Sequence, residues 1–194
     1  MPLAARANLT TMTEKEAIKT SKFLSLILRH EPDRVGLKLD SAGWVGVSEL
    51  LEAVNRHGVS LNREQLQQIV ATSDKKRFAF SDDGTRIRAS QGHSLAVDLQ
   101  YTPQVPPELL YHGTATRFLE SIREKGLLKM ERQHVHLSAE TAVTAQVGAR
   151  HGKPTLLIIR AAAMQRAGHV FYRSANGVWL VDHVPPQFIE FPKS

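Results

Sequence analysis

Between Asp98 and Glu108 the chain carries Pro103, Pro106 and Pro107, and this stretch separates two halves of different periodicity. Proline fixes φ and lacks a backbone N–H, so three in close succession interrupt helices and sheet ladders alike. Before the stretch, apolar residues recur at helical spacing. After it, short runs of β-branched and aromatic residues dominate. The pattern predicts an α+β protein with a mainly antiparallel sheet in its second half. The expected organisation is a lead-in over 1–12, a first lobe over 13–97, a linker over 98–108 and a second lobe over 109–194. At 194 residues, two small lobes can each bury a core.

Charge narrows the partners. The chain has a net charge of +6, shared equally: residues 1–97 carry 14 basic and 11 acidic groups, and residues 98–194 carry 11 and 8. A mildly basic surface without a basic tail favours a nucleotide or nucleic-acid partner over a membrane. No apolar run is long enough to span a bilayer. The first dozen residues lack the apolar core of a secretory signal, so cytoplasmic residence is expected. The sequence has no cysteine, which excludes disulfides and thiolate-bound zinc.

Local signals predict the elements. Thr13 with Glu16 forms a capping-box pattern, opening a helix whose apolar face is Ala17, Leu24, Ile27 and Leu28 and which Pro32 ends. Leu37–Leu39 and Trp44–Val45 read as two short strands around a turn. A second helix is expected over Val47–His57, closed by Gly58. A third follows the Asn62 cap, with Leu66, Ile69 and Val70 as its stripe. Arg77–Phe80 and Arg86–Ala89 flank Asp82-Asp83-Gly84, a hairpin turn. Three helices, short strands and a closing hairpin suit a winged-helix module. In the second half, strands are expected around Leu110–His112, Val135–Leu137, Thr155–Ile159, Val170–Tyr172 and Val178–Leu180. Helices are expected over Ala115–Lys125 and Ala139–His151.

Six short constellations carry chemistry. Arg29-His30 pairs a guanidinium fork suited to phosphate oxygens with the side chain best placed to move protons near neutral pH; helix capping by two cations explains the pair as well. Lys76-Arg77 enters the hairpin, and strand alternation sets Arg77 opposite the aromatic face of Phe78 and Phe80. Gln91, Gly92, His93 and Ser94 gather hydrogen-bonding groups around a tight turn. His112-Gly113-Thr114 sits at a strand end, where glycine lets a ligand approach the backbone. His134 and His136 share one face of the strand leading to Leu137-Ser138, with no third ligand at diagnostic spacing, so no metal is expected. Arg173-Ser174 stands at the mouth of an Asn176-Gly177 turn.

In order and context these motifs resemble the RNA 2′-phosphotransferase family, the tRNA 2′-phosphotransferases of RNA splicing and their bacterial relatives. The resemblance rests on Leu-Arg-His at 28–30, Lys-Arg-Phe at 76–78, Gln-Gly-His-Ser at 91–94, His-Gly-Thr at 112–114, His-Val-His-Leu-Ser at 134–138 and Arg-Ser-Ala-Asn-Gly-Val-Trp-Leu at 173–180. It implies an N-terminal winged-helix RNA lobe and a C-terminal ADP-ribosyltransferase-like lobe that binds NAD+. The implied reaction has two steps. An internal RNA 2′-phosphate attacks the anomeric carbon of the nicotinamide ribose and expels nicotinamide; the ribose 2″-hydroxyl then attacks the phosphodiester. RNA leaves with a 2′-hydroxyl, and the phosphate leaves as ADP-ribose 1″,2″-cyclic phosphate.

The family's catalytic quartet corresponds to Arg29, His30, Arg77 and Arg173. NAD+ binding carries over to His112, Gly113, Thr114, His136, Leu137, Ser138, Ser174, Asn176 and Gly177, and RNA contacts to Lys76, Gln91, His93 and Ser94. Protein-modifying relatives use a glutamate in their last signature strand; none lies within Arg173–Asp182, where Val178 and Trp179 stand instead. A monomer is expected. The competing readings are a transferase that ADP-ribosylates terminal phosphates of RNA or DNA, and a non-catalytic RNA- or nucleotide-binding protein.

Overall fold

The computed structural model describes residues 12–73, 75–141 and 153–192. Two compact units emerge, one from the chain up to Asp40 with Trp44–Ala89, the other from Ser41–Gly43 with the chain from Ser90 onward. Helices and antiparallel sheets are mixed in the α+β manner expected.

In the first unit, α1 (Glu14–Arg29) begins where Thr13 Oγ1 accepts the Glu16 N–H at 3.3 Å and the Glu16 carboxylate accepts the Thr13 N–H at 2.9 Å. The Thr13 hydroxyl also donates to the Glu16 carboxylate at 2.6 Å, and this bond first, with that from the Thr13 N–H, holds the Glu16 carboxyl below its ordinary pKa. Leu24, Ile27 and Leu28 are fully buried. The helix closes where the N–H groups of His30 and Glu31 both donate to Leu26 O, and Pro32 starts a 3-10 turn (Pro32–Val35). Helix α2 (Val47–Arg56) ends one residue earlier than expected, with His57 as its cap. Asn55 ties it to the next loop by donating to Leu61 O and accepting from Leu61 N. Helix α3 (Arg63–Ala71) starts at the capping box of Asn62 and Gln65.

A three-stranded sheet closes this core in the order β1 (Val45–Gly46), β3 (Arg86–Ala89), β2 (Phe78–Phe80). Its hairpin turn is fastened by Asp83, whose carboxylate accepts from Ser81 Oγ, Thr85 N and Thr85 Oγ1, lowering its pKa to about 2. Two expectations fail. Leu37–Leu39 forms no strand, because the bonds between Asp40 and Trp44 fold the chain into a turn with no ladder beyond it. Arg77 lies just ahead of β2, since the ladder begins at Phe78 paired with Ala89.

The second unit holds two larger sheets, in the orders β4-β9-β10-β7 and β12-β8-β5. The first joins β4 (Pro103–Gln104), β9 (Phe171–Arg173), β10 (Trp179–Val181) and β7 (Val135–Leu137). The second joins β12 (Ile189–Glu190), β8 (Pro154–Ile159) and β5 (Leu110–Ala115). Thus the stretch expected as a linker contains a strand: Pro103 and Gln104 pair with Tyr172 and Phe171 at a sheet edge, a place where proline need cost no ladder bond. Helices α4 (Leu119–Lys125) and α5 (Ala161–Arg166) supply Ile122 and Met164 to a core with Leu110, Leu137, Leu157, Phe171 and Trp179. Ala115 ends β5 rather than opening a helix, and a 3-10 turn (Thr116–Phe118) precedes α4. Of the helix expected over Ala139–His151, residues 142–151 lie outside the described residues.

A small ladder of β6 (Leu127–Leu128) with β11 (His183–Val184) depends on one glycine. Gly126 has φ +73°, and a Cβ there would lie 2.1 Å from Val184 O. Gly168 has φ +94° with nothing within 4 Å of its Cβ position. Gly126→Ala combines backbone strain with a clash and is expected to cost at least about 3 kcal/mol. Gly168→Ala adds only left-handed strain, about 1–2 kcal/mol. Urea denaturation of the two variants checks this; equal losses contradict it.

Candidate active site

In the first unit, the cations expected to serve phosphate grow out of one core. Leu28, fully buried, precedes Arg29, and Phe78, also buried, follows Arg77. Arg29 is half-buried, with its Nε and Nη2 shielded from solvent, while His30 is exposed. Arg77 is half-buried beside exposed Lys76, whose φ of +38° turns the chain into the strand. Half-burial restrains a guanidinium more than full exposure does, which is compatible with a fixed grip on phosphate.

In the second unit, three segments expected to hold NAD+ come together through sheet pairing. Tyr111 N donates to Ser138 O at 2.8 Å, and Ser138 N donates to Tyr111 O at 2.9 Å. This isolated bridge sets His112-Gly113-Thr114 of β5 beside His136-Leu137 of β7 and the Ser138 that follows it. Strand β10 continues the array, with Trp179 paired to Leu137 on one side and Arg173 on the other. The 112–114 and 136–138 segments and Arg173, with the turn that follows it, therefore lie along one connected array of strands.

The imidazoles in this stretch have defined roles. His112 Nδ1 lies 3.0 Å from His136 O, so that nitrogen carries the hydrogen and donates. Burial pushes the His112 pKa down, against the raising effect of this bond, with the Arg132 charge adding to the fall. His112 is consequently neutral near pH 7, and its Nε2 is an acceptor. Arg132 Nη1 stands 2.6 Å from His136 Nδ1; arginine only donates, so His136 Nδ1 accepts and its hydrogen resides on Nε2. An acceptor on one ring and a donor on the other suit the hydroxyl and amide groups of a dinucleotide. Thr114, the penultimate residue of β5, is buried.

The turn after β9 is built from its own side chains. Ser174, 4% exposed, donates from Oγ to Asn176 Oδ1 at 2.6 Å and accepts from Val178 N at 3.1 Å. Gly177 takes φ +83°. The Arg173 guanidinium lies 5.6 Å from the centre of the Trp179 ring, which orients an otherwise exposed cation.

Residues 90–101 form a strap organised by Gln133. Its amide donates to Leu95 O at 2.6 Å and to Val97 O at 2.9 Å, and its backbone N–H donates to His93 O. Tyr101 Oη closes the loop by donating to Ser90 O at 2.7 Å. His93 is thereby buried to 1% exposure, whereas Gln91 is half-exposed and Ser94 exposed. His134 joins Tyr101 and Tyr172 in an edge-on aromatic cluster, where desolvation lowers its pKa against the opposing charge of Asp182. Among the described residues no group of three His, Cys, Asp or Glu side chains stands close enough to hold a metal ion.

Comparison with known proteins decides the family. The sequence model of the RNA 2′-phosphotransferase, Tpt1 / KptA family matches residues 15–183. The chain belongs to this family. It is 54% identical over 180 residues to a probable RNA 2′-phosphotransferase of Rhodopirellula baltica, covering 92% of this chain and 98% of that one. A probable RNA 2′-phosphotransferase of Nostoc punctiforme is 52% identical over 92% of this chain and 99% of its own length. One of Acaryochloris marina is 55% identical over 87% and 93%. The protein is a transferase, an RNA 2′-phosphotransferase, and no described helix is long and apolar enough to cross a membrane.

Three contributors to the candidate site have no role assigned from the sequence. Tyr111 supplies the bridge, Arg132 fixes the His136 tautomer, and Gln133 fastens the strap. Tyr111 acts through its backbone, Gln133 reaches carbonyls 38 and 36 residues away, and Arg132 acts on a ring four residues on; Tyr111 and Gln133 each adjoin a motif histidine, which is the local hint the sequence offers. The depressed His112 pKa has a consequence for stability. Above its ordinary value of 6.5 the ring is neutral folded or unfolded, so its contribution is complete. As pH falls below that value the unfolded chain takes up a proton that the folded ring resists, and stability is lost. His112→Asn keeps a donor for His136 O and is expected to lose less stability between pH 6.5 and about pH 5 than the parent. Urea titrations across that range test this; parallel losses contradict it.

Proposed function

We propose that this transferase removes an internal RNA 2′-phosphate using NAD+, with the first unit as a winged-helix RNA lobe and the second as an ADP-ribosyltransferase-like lobe. The observation that carries the reading is the bridge between Tyr111 and Ser138, which gathers the dinucleotide-competent segments in a family of RNA 2′-phosphotransferases. Three helices with a hairpin-closed sheet support the first assignment, and the paired antiparallel sheets support the second.

Each residue then has a task. His112 Nε2, unprotonated near neutral pH, accepts from a ribose hydroxyl, while Gly113 and the Ser138 backbone allow close approach of the dinucleotide. His136 Nε2 donates. Ser174, Asn176 and Gly177 shape the turn that presents Arg173. Arg29, Arg77 and Arg173 neutralise the 2′-phosphate and the charge that grows during transesterification. In the first step a phosphate oxygen forms the bond to the anomeric carbon as the bond to nicotinamide breaks. In the second, the ribose 2″-hydroxyl loses its proton and attacks phosphorus, and the RNA 2′-oxygen leaves and is protonated. His30 moves a proton in that step. Lys76, Gln91 and Ser94 contact the RNA, with buried His93 shaping the strap that carries Gln91 and Ser94. The work is cytoplasmic and needs no metal.

Incubation with NAD+ and an oligonucleotide bearing one internal 2′-phosphate is expected to yield nicotinamide, 2′-hydroxyl RNA and ADP-ribose 1″,2″-cyclic phosphate. Arg29→Ala or His30→Ala is expected to lower phosphate release by about 100-fold or more, with ADP-ribosylated RNA accumulating. No NAD+-dependent phosphate loss contradicts the proposal. A stable ADP-ribosylated terminus would favour phosphate capping instead.

A further inference from the structure

One surface of the first unit is used by none of the assigned residues. The sheet β1-β3-β2 turns Val45, Ile87, Phe78 and Ala89 into the core. Alternation places Gly46, Arg86, Arg88 and Ala79 on the opposite face, where Arg86 pairs with Gly46 and Arg88 with Ala79. Trp44, next to buried Val45, joins this outer face: the Arg88 guanidinium stands 4.5 Å from its ring centre and that of Arg86 5.5 Å. Arg86 also contacts Asp40 at 3.4 Å, an exposed pair weak enough for a phosphate to displace.

We propose that Trp44, Arg86 and Arg88 form a docking face for the sugar–phosphate backbone of RNA flanking the modified nucleotide. The indole holds two planar forks in fixed orientation, which lowers the entropy lost when each grips a phosphate. Gly46 and Ala79 leave the strand positions beside both forks low, giving a flat strip that a nucleic-acid strand can follow. Ala79 is two residues from Arg77, so the strip continues into the segment proposed to meet the 2′-phosphate. Two arginines at strand spacing on a basic chain complement a polyanion rather than a single small anion. This inference rests on RNA being the substrate and adds how its chain is held.

The test uses the full chain and an unmodified 12-nucleotide RNA, without NAD+, so that it is independent of phosphate removal. Arg86→Gln/Arg88→Gln is expected to weaken binding about tenfold or more near 0.1 M salt and to reduce the slope of log affinity against log salt by about 1.4. Arg123→Gln/Lys125→Gln, a matched charge loss on α4, is expected to change neither. RNA is also expected to alter the parent's tryptophan emission, and Trp44→Phe to abolish that change while Trp179 remains. Unchanged affinity and slope in the Arg86/Arg88 variant, with a parent-like thermal midpoint, overturn the proposal. An equal loss in the α4 control overturns it as well. If RNA binding behaves as expected yet no 2′-phosphate is removed with NAD+, the docking face stands and the proposed reaction fails.

Discussion

Two backbone hydrogen bonds between Tyr111 and Ser138, at 2.8 and 2.9 Å, join the three-stranded sheet of the second unit to its four-stranded one. Everything proposed for the dinucleotide depends on this junction. Without it, the His-Gly-Thr and His-Leu-Ser segments belong to separate ladders. With it, the His136 carbonyl comes within reach of His112, fixing one ring's tautomer, while Arg132 fixes the other. Cores on either side hold the junction: Leu110 and Leu157 from one sheet and Leu137 and Trp179 from the other share one apolar cluster.

The residues proposed for the dinucleotide carry little charge, and those proposed for phosphate are cations. His112 is kept neutral by burial, and Ser174 and Asn176 satisfy each other within their turn. The cations assigned to phosphate, Arg29, Arg77 and Arg173, are instead rooted beside buried or aromatic neighbours, Leu28, Phe78 and Trp179. A rooted guanidinium is already oriented before charge builds up on a transferring phosphoryl group, which makes electrostatic stabilisation effective.

Much of the first unit was legible because its signals are local. The capping box at Thr13, the cap at Asn62, the stop at Pro32 and the Asp-Gly turn each act within four residues. The Leu37–Leu39 strand failed for the converse reason: its alternation is local, but a strand needs a partner, and the Asp40 turn supplies none. In the second unit the five longer strands were visible and their partners were not, while the two-residue strands β6, β11 and β12 carry too little pattern to be seen in sequence. Proline content concealed β4, whose pairing exploits an edge position. The motif residues of the candidate site were recognisable from their order, yet the burial of His93 follows from Gln133, forty residues away, which no short pattern reveals.

The central claim is that the strands joined at Tyr111 and Ser138 receive NAD+. Titrating NAD+ into isotopically labelled protein while following backbone amide resonances measures this directly. The account predicts the largest shifts at Gly113, Thr114, Ser138 and Ser174 and slower hydrogen exchange at Tyr111 and Ser138. Shifts confined to the strap around Leu95 and Tyr101, with the β5–β7 junction unmoved, would contradict it.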